Sequence, residues 1–139
     1  MEKINFQDYP NTTTPINTTN LNQLQTNIEN EINTLIETGS SGNNYYIKFS
    51  NGTLICYGSG VGVDDSYGSS TFAYEFIEVP KVTVTISHND LNFQTTAKLY
   101  EVTTTGIKVV VFYTQVNTSG AQTNIGANPY NYIAIGKWK

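Results

Sequence analysis

The chain of 139 residues has no arginine, one cysteine, one histidine and one tryptophan, and charged residues fill only 13% of its positions. With seven lysines as its only fixed cations and a net charge of −4, it is poorly equipped to neutralise phosphates. Nucleic acid is therefore excluded as a partner. A lone Cys56 rules out an internal disulfide, and the single His88 gives it no nearby base or metal co-ligand. No metal and no cofactor are expected. Cys56 falls in the alternating run Thr53–Tyr57, which predicts a half-buried strand thiol. There is no apolar leader and no long apolar run, so neither a secretory signal nor membrane insertion is expected. The serine-hydrolase elbow, the nucleotide loop and the HExxH pair are all missing, and the acids are scattered rather than paired. The chain reads as a binding or structural protein, not as an enzyme.

What is abundant is asparagine and threonine, together about a quarter of the chain and well above the usual globular mix. Uncharged polar side chains suit the outer faces of strands, where threonine is favoured by its β-branching. The length supports one globular domain with an extension.

Residues 1–16 read as extended, because Pro10 and Pro15 turn the preceding residues away from helix. Residues 17–38 read as a helix, capped by Asn17 or Thr18 and ended by Gly39. Its apolar positions are Leu21, Leu24, Ile28, Ile32, Leu35 and Ile36, a narrow stripe on an otherwise polar rod. A lone helix of this kind is marginal in water and must bury its stripe. Self-association in a short parallel bundle is preferred over docking on its own chain. The reason is that Ser40-Ser41-Gly42-Asn43-Asn44 reads as a flexible spacer. Leu21, Leu24, Ile28, Ile32 and Leu35 are then stalk residues of a homotrimer.

Beyond the spacer the pattern has period 2, the mark of half-buried strands. Tyr45–Ser50 and Thr53–Tyr57 flank Asn51-Gly52, a strong signal for a tight hairpin. Further strands are expected at Thr71–Phe76, Lys81–His88, Thr95–Val102, Ile107–Tyr113 and Tyr132–Trp138. Gly58–Ser70 and Asn117–Pro129 read as long polar loops. The expected architecture is mainly β. An attachment segment and helical stalk (1–44) precede an antiparallel sandwich of six or seven strands (45–139).

The stretch Val79–Ile86, then Ala97–Val102, Thr105–Val109 and Tyr132–Ile135, resembles the H-type lectin domain. Asn5–Asn17 followed by Asn20-Leu21-Asn22 resembles the start of tail and baseplate proteins of phages and prophages of Gram-positive bacteria. The first resemblance implies a six-stranded antiparallel sandwich that trimerises and binds sugar near subunit contacts. The sequence departs from that family where the sugar is held. Tyr113-Thr114 is followed by Gln115-Val116 in place of a Trp-His pair. The basic residue expected before Ala97 is replaced by Gln94 or Thr95, while the acidic loop survives as Asp64-Asp65.

Aromatic rings stack on sugar faces, while Asn, Asp and Gln bond their hydroxyls. Tyr67 and Tyr130, in or beside the long loops, are the expected ring donors. Tyr57, Tyr74, Tyr100, Tyr113, Tyr132 and Trp138 are expected to pack in the core. The carbohydrate candidates are Asp64, Asp65, Tyr67, His88, Asn89, Gln115 and Tyr130. His88 also reads as a plain turn residue, and Asp64-Asp65 as a solvated loop. The resemblances imply a phage tail-fibre or baseplate protein in the virion, made in the bacterial cytoplasm. Its expected partners are two further copies of itself, other tail or baseplate proteins, and a glycan of the bacterial surface. The alternative is a purely structural fibre or baseplate module that binds no ligand.

Overall fold

The computed structural model describes residues 18–86, 93–117 and 120–139. The chain divides into two compact units, one ending at Glu37 and the other spanning Thr38–Lys139.

In the first unit, helix α1 covers Thr18–Leu35, a stretch without glycine or proline. A Gln25–Glu29 hydrogen bond of 2.8 Å links successive turns on its polar side. Leu21, Ile28, Ile32 and Leu35 are all exposed, and only Leu24 of the stripe is half-buried. The helix is not long and apolar enough to cross a membrane.

The helix ends earlier than its sequence suggests. Ile36–Ser41 is strand β1, and it enters a hairpin with β2 (Asn44–Phe49) through Gly42, at φ 59°. Gly39 is therefore a strand residue and not a helix cap, and residues 40–44 are not a free spacer. A Cβ on Gly39 would lie 2.5 Å from the Tyr46 ring. The missing side chain lets that ring lie across β1, a tertiary reason that local propensity does not show.

The remaining strands are β3 (Thr53–Val61), β4 (Gly68–Thr71), β5 (Lys81–Ile86), β6 (Phe93–Val102), β7 (Gly106–Asn117), β8 (Gly120–Ile125) and β9 (Pro129–Lys137). The described residues thus hold nine strands where six or seven were expected. Both expected long loops shrink. β3 runs on to Val61 and β4 begins at Gly68, while β8 folds back on β7. The residues after Thr71 are not strand, against expectation. Two antiparallel sheets result, one ordered β1-β2-β3-β9-β5 and the other β4-β7-β6 with β8 also on β7. β4 pairs with residues 106–109 of β7 and β8 with residues 112–117, so the two short strands divide that pairing of β7 between them.

The hairpin expected at Asn51-Gly52 forms, but β2 ends at Phe49 and the loop takes three residues, 50–52, with only Gly52 left-handed. Gly52 sits at φ 91°, its N–H donates to the Phe49 carbonyl, and Asn51 Oδ1 accepts from the Thr53 N–H at 2.9 Å. Alternation then fills the space between the sheets. Leu54, Cys56, Tyr130, Tyr132 and Ala134 come from one sheet, Ile107, Val109 and Val111 from the other, and Phe72 and Phe76 from the segment between. Burying each large apolar side chain contributes about 1.5–3 kcal/mol. Cys56 is completely buried rather than half-buried. Its thiol donates to the Tyr74 carbonyl at 3.5 Å, and desolvation pushes its pKa up.

The C-terminus is pinned to the same sheet. Trp138 Nε1–H donates to the Phe49 carbonyl at 3.0 Å. Buried Lys48 places its ammonium 4.2 Å from the Tyr74 ring centre and 4.7 Å from that of Trp138. Trp138 is a packing residue, as expected.

Candidate functional site on the four-stranded sheet

The outer face of the four-stranded sheet is built by alternation on β4 and β7 and by a defect on β6. Leu99 faces Val109 across the ladder, yet the next pair is Glu101 with Lys108, which leaves Tyr100 as an extra residue. A bulge of this kind re-aims a side chain. Here Tyr100 stands 64% exposed and Glu101 is exposed beside it. From the other side comes Tyr67, 39% exposed, just ahead of β4. The two rings stack with centres 5.4 Å apart and planes 9° from parallel.

Lys108, opposite Ser69 in the ladder, completes the group. Its ammonium lies 4.9 Å from the centre of Tyr67 and 2.5 Å from Glu101 Oε2. The hydrogen bond that Lys108 donates to the Glu101 carboxylate is the main influence raising the lysine pKa. Both partners are well exposed, so the pair orients groups more than it stabilises the fold. Beside the rings is a cleft of about 160 Å³, lined among others by Ser69, Thr71, Glu101, Thr103, Thr105 and Lys108. One wall is stiff. Thr103 Oγ1 accepts from the Gly106 N–H at 3.1 Å, and its own hydroxyl donates to the Gly106 carbonyl at 3.2 Å. Chemically the arrangement offers two ring faces, one carboxylate, one ammonium and several hydroxyls, all exposed to solvent or half-buried. Those are the groups that hold a polyhydroxylated ligand.

The expected site residues fare unequally. Tyr67 is here. Asp64 and Asp65 lie in the connection just before it. Asp64 Oδ1 accepts the Ala127 N–H at 2.9 Å and ties that connection to residues 126–128, which the Gly62 N–H reinforces by donating to the Asn128 carbonyl. Asp65 takes up φ 56° at the turn. Tyr130 is a correction. It faces inward on β9, is fully buried, and shares a 2.9 Å hydrogen bond with Ser70, so it offers no ring face. Gln115 is exposed, but at the far end of β7, seven residues from Lys108 or about 24 Å along an extended strand. His88 and Asn89 lie outside the described residues. Among the described residues no group of three or more His, Cys, Asp or Glu could hold a metal ion.

Tyr100 corrects the expectation of a core position, which rests on its place in a strand; it stands out from the sheet. Its parity with Lys98 carried the correct signal, since Ala97 and Leu99 turn toward the core. The same holds for Tyr57, which is 40% exposed while its neighbour Cys56 is buried. The bulge that also turns Glu101 outward leaves no mark in the sequence.

No family model matches the chain. No curated protein matches it either. Among solved structures it is similar to an N-truncated R2-type pyocin tail fibre, with a TM-score of 0.53 at 13% identity. The match covers 99% of this chain and 54% of the fibre chain, so this chain spans about half the length of that structure. At that identity the likeness is one of fold.

Proposed function

We propose that this chain is a receptor-binding component of a phage-type tail, found in the virion, whose β head binds bacterial surface carbohydrate. The observation that carries the reading is the exposed, near-parallel Tyr67–Tyr100 pair with Glu101 and Lys108 at its side. The fold likeness to a tail fibre supports the setting. The narrow stripe of α1 supports a trimeric stalk, and three copies of a weak site gain strength by avidity. Binding needs neither a metal nor a reaction. Sugar hydroxyls exchange water for Glu101, Lys108 and Ser69, and the sugar's C–H faces cover the outer faces of the stacked tyrosine pair.

The test is a glycan array of bacterial surface polysaccharides probed with the full chain, its Tyr67→Ala and Tyr100→Ala variants, and a Thr96→Ala control. The expected result is binding that falls roughly tenfold or more in both tyrosine variants, about 1.4 kcal/mol each, and not in the control. A parent chain that binds no glycan at any density would leave the structural fibre module as the correct reading.

A further inference from the structure

Both walls of the cleft beside the tyrosine pair run on in the chain. One wall, residues 69–71, leads into the connection that follows β4. The other holds the turn between β6 and β7, residues 103–105. Past the cleft, backbone hydrogen bonds join the two. The Phe72 N–H donates to the Thr105 carbonyl at 2.8 Å, and the Phe76 N–H to the Thr104 carbonyl at 3.0 Å. Side chains divide along the turn. Thr103 and Thr105 line the cleft, while Thr104 lines a second concavity, a groove of about 690 Å³ walled mainly by Tyr74, Glu75, Ile77 and Trp138.

Size and chemistry link the two concavities. Sites for small ligands measure roughly 300–1,000 Å³. The cleft, at about 160 Å³, falls short of that range, and the groove lies within it. The groove repeats the kinds of group found at the tyrosine pair. Ile77 is 60% exposed and offers apolar contact beside the half-buried rings of Tyr74 and Trp138. The exposed Glu75 carboxylate is steadied by the Thr104 hydroxyl, which donates to Oε1 at 3.4 Å. The turn between the two is itself stiffened, with the Thr103 and Thr105 hydroxyls 3.2 Å apart. A rigid surface lowers the cost of ordering a bound chain across it.

We infer that the head takes an oligosaccharide chain and not a single terminal sugar. One unit lies on the tyrosine pair, the next fills the cleft, and further units pass around the 103–105 turn into the groove beside Trp138. There Glu75 bonds sugar hydroxyls and Ile77 covers a C–H face. The inference rests on the carbohydrate reading of the Tyr67–Tyr100 site and adds to it the length of the ligand. A single sugar would reach only the first concavity and leave the larger one unused.

The experiment titrates the full chain by calorimetry with soluble fragments of the polysaccharide that binds best on the array, graded in length from a single sugar upward. Affinity is expected to rise roughly tenfold or more once fragments outgrow the tyrosine pair and the cleft. Glu75→Ala/Ile77→Ala should lose most of that rise, whereas Tyr100→Ala should weaken binding at every length and Thr96→Ala at none. Avidity between copies also rewards long fragments, but that gain would survive the groove substitutions. Should the double variant fail to fold, Glu75→Gln, which keeps the side-chain shape, carries the same test. A single sugar that binds as tightly as the longest fragment overturns the inference, and so does a folded groove variant that keeps the whole rise. In both cases the carbohydrate site at the tyrosine pair stands. A parent that binds no fragment removes that site, and this inference with it.

Discussion

The two outer sheet faces obey one rule of alternation and carry opposite chemistry. On the five-stranded sheet the central outward positions of β2, β3 and β9 are isoleucine and tyrosine, with Thr53, Ser59, Asn131 and Lys137 around them. On the four-stranded sheet the outward positions include Ser69, Thr71, Thr96, Lys98 and Lys108. Both faces hold a stacked tyrosine pair, at 5.3 and 5.4 Å. One pair lies among aliphatic side chains, the other beside a salt bridge and a hydroxyl-lined cleft. An exposed aromatic pair therefore says little by itself, and its neighbours decide whether it suits a protein surface or a polar ligand. The lesson reaches helix α1, whose exposed apolar stripe resembles the first face and not the second.

The sharpest way to break the comparison is to substitute adjacent residues on opposite faces of one strand. Tyr132→Ala, on the inner face, should cost about 3–5 kcal/mol in urea unfolding. Ile133→Ala, about half exposed on the outer face, should cost under about 1.5 kcal/mol in the same measurement. Equal costs at the two positions would mean that the two faces of β9 are equally buried.

Alkaline titration probes the buried acidic groups, the inner tyrosines together with Cys56, whose pKa burial also raises. Burial, the main cause, raises Tyr130 and Tyr132 above their ordinary value of 10.0, Tyr132 the more strongly. A raised folded-state pKa favours the neutral phenol in the native protein. The contribution is whole below about pH 10 and is lost as pH rises through the folded values. Unfolding followed by far-UV circular dichroism should show stability falling above that pH, and a flat profile would place the two phenols in water.

A finer contrast is internal to the core. Tyr130→Phe removes the Ser70 hydrogen bond and should cost about 1 kcal/mol. The Tyr132 hydroxyl is buried without a partner among the described residues, so Tyr132→Phe should be neutral or stabilising by up to about 1 kcal/mol. Reversed signs would show that the Tyr132 hydroxyl is satisfied. The smallest effect is expected at the polar face, where Lys108→Met should change stability by less than about 0.5 kcal/mol. A larger loss would make the Lys108–Glu101 pair structural and not part of a site.

Period-2 patterning made the β class, the hairpin at Asn51-Gly52, the inward Val82, Val84 and Ile86 of β5 and the amphipathic helix readable from the residues alone. Those features depend on neighbours a few positions apart. The breadth of the sheets was not readable in the same way. Gly58–Ser70 and Asn117–Pro129 are rich in glycine, serine and asparagine, which signal loops. They became strand wherever β9 or β7 offered a free row of hydrogen-bonding groups. Gly39 resembled a cap until Tyr46 lay across it. Tyr67 was legible as a candidate because it sits in a connection. Its partner Tyr100 became one only when the register shift opposite Lys108 turned two consecutive side chains outward. Local sequence sets which face of a strand is apolar, because side-chain direction alternates with every residue. Which strands become neighbours, and so which outward residues form one surface, is a non-local pairing that only the folded chain decides.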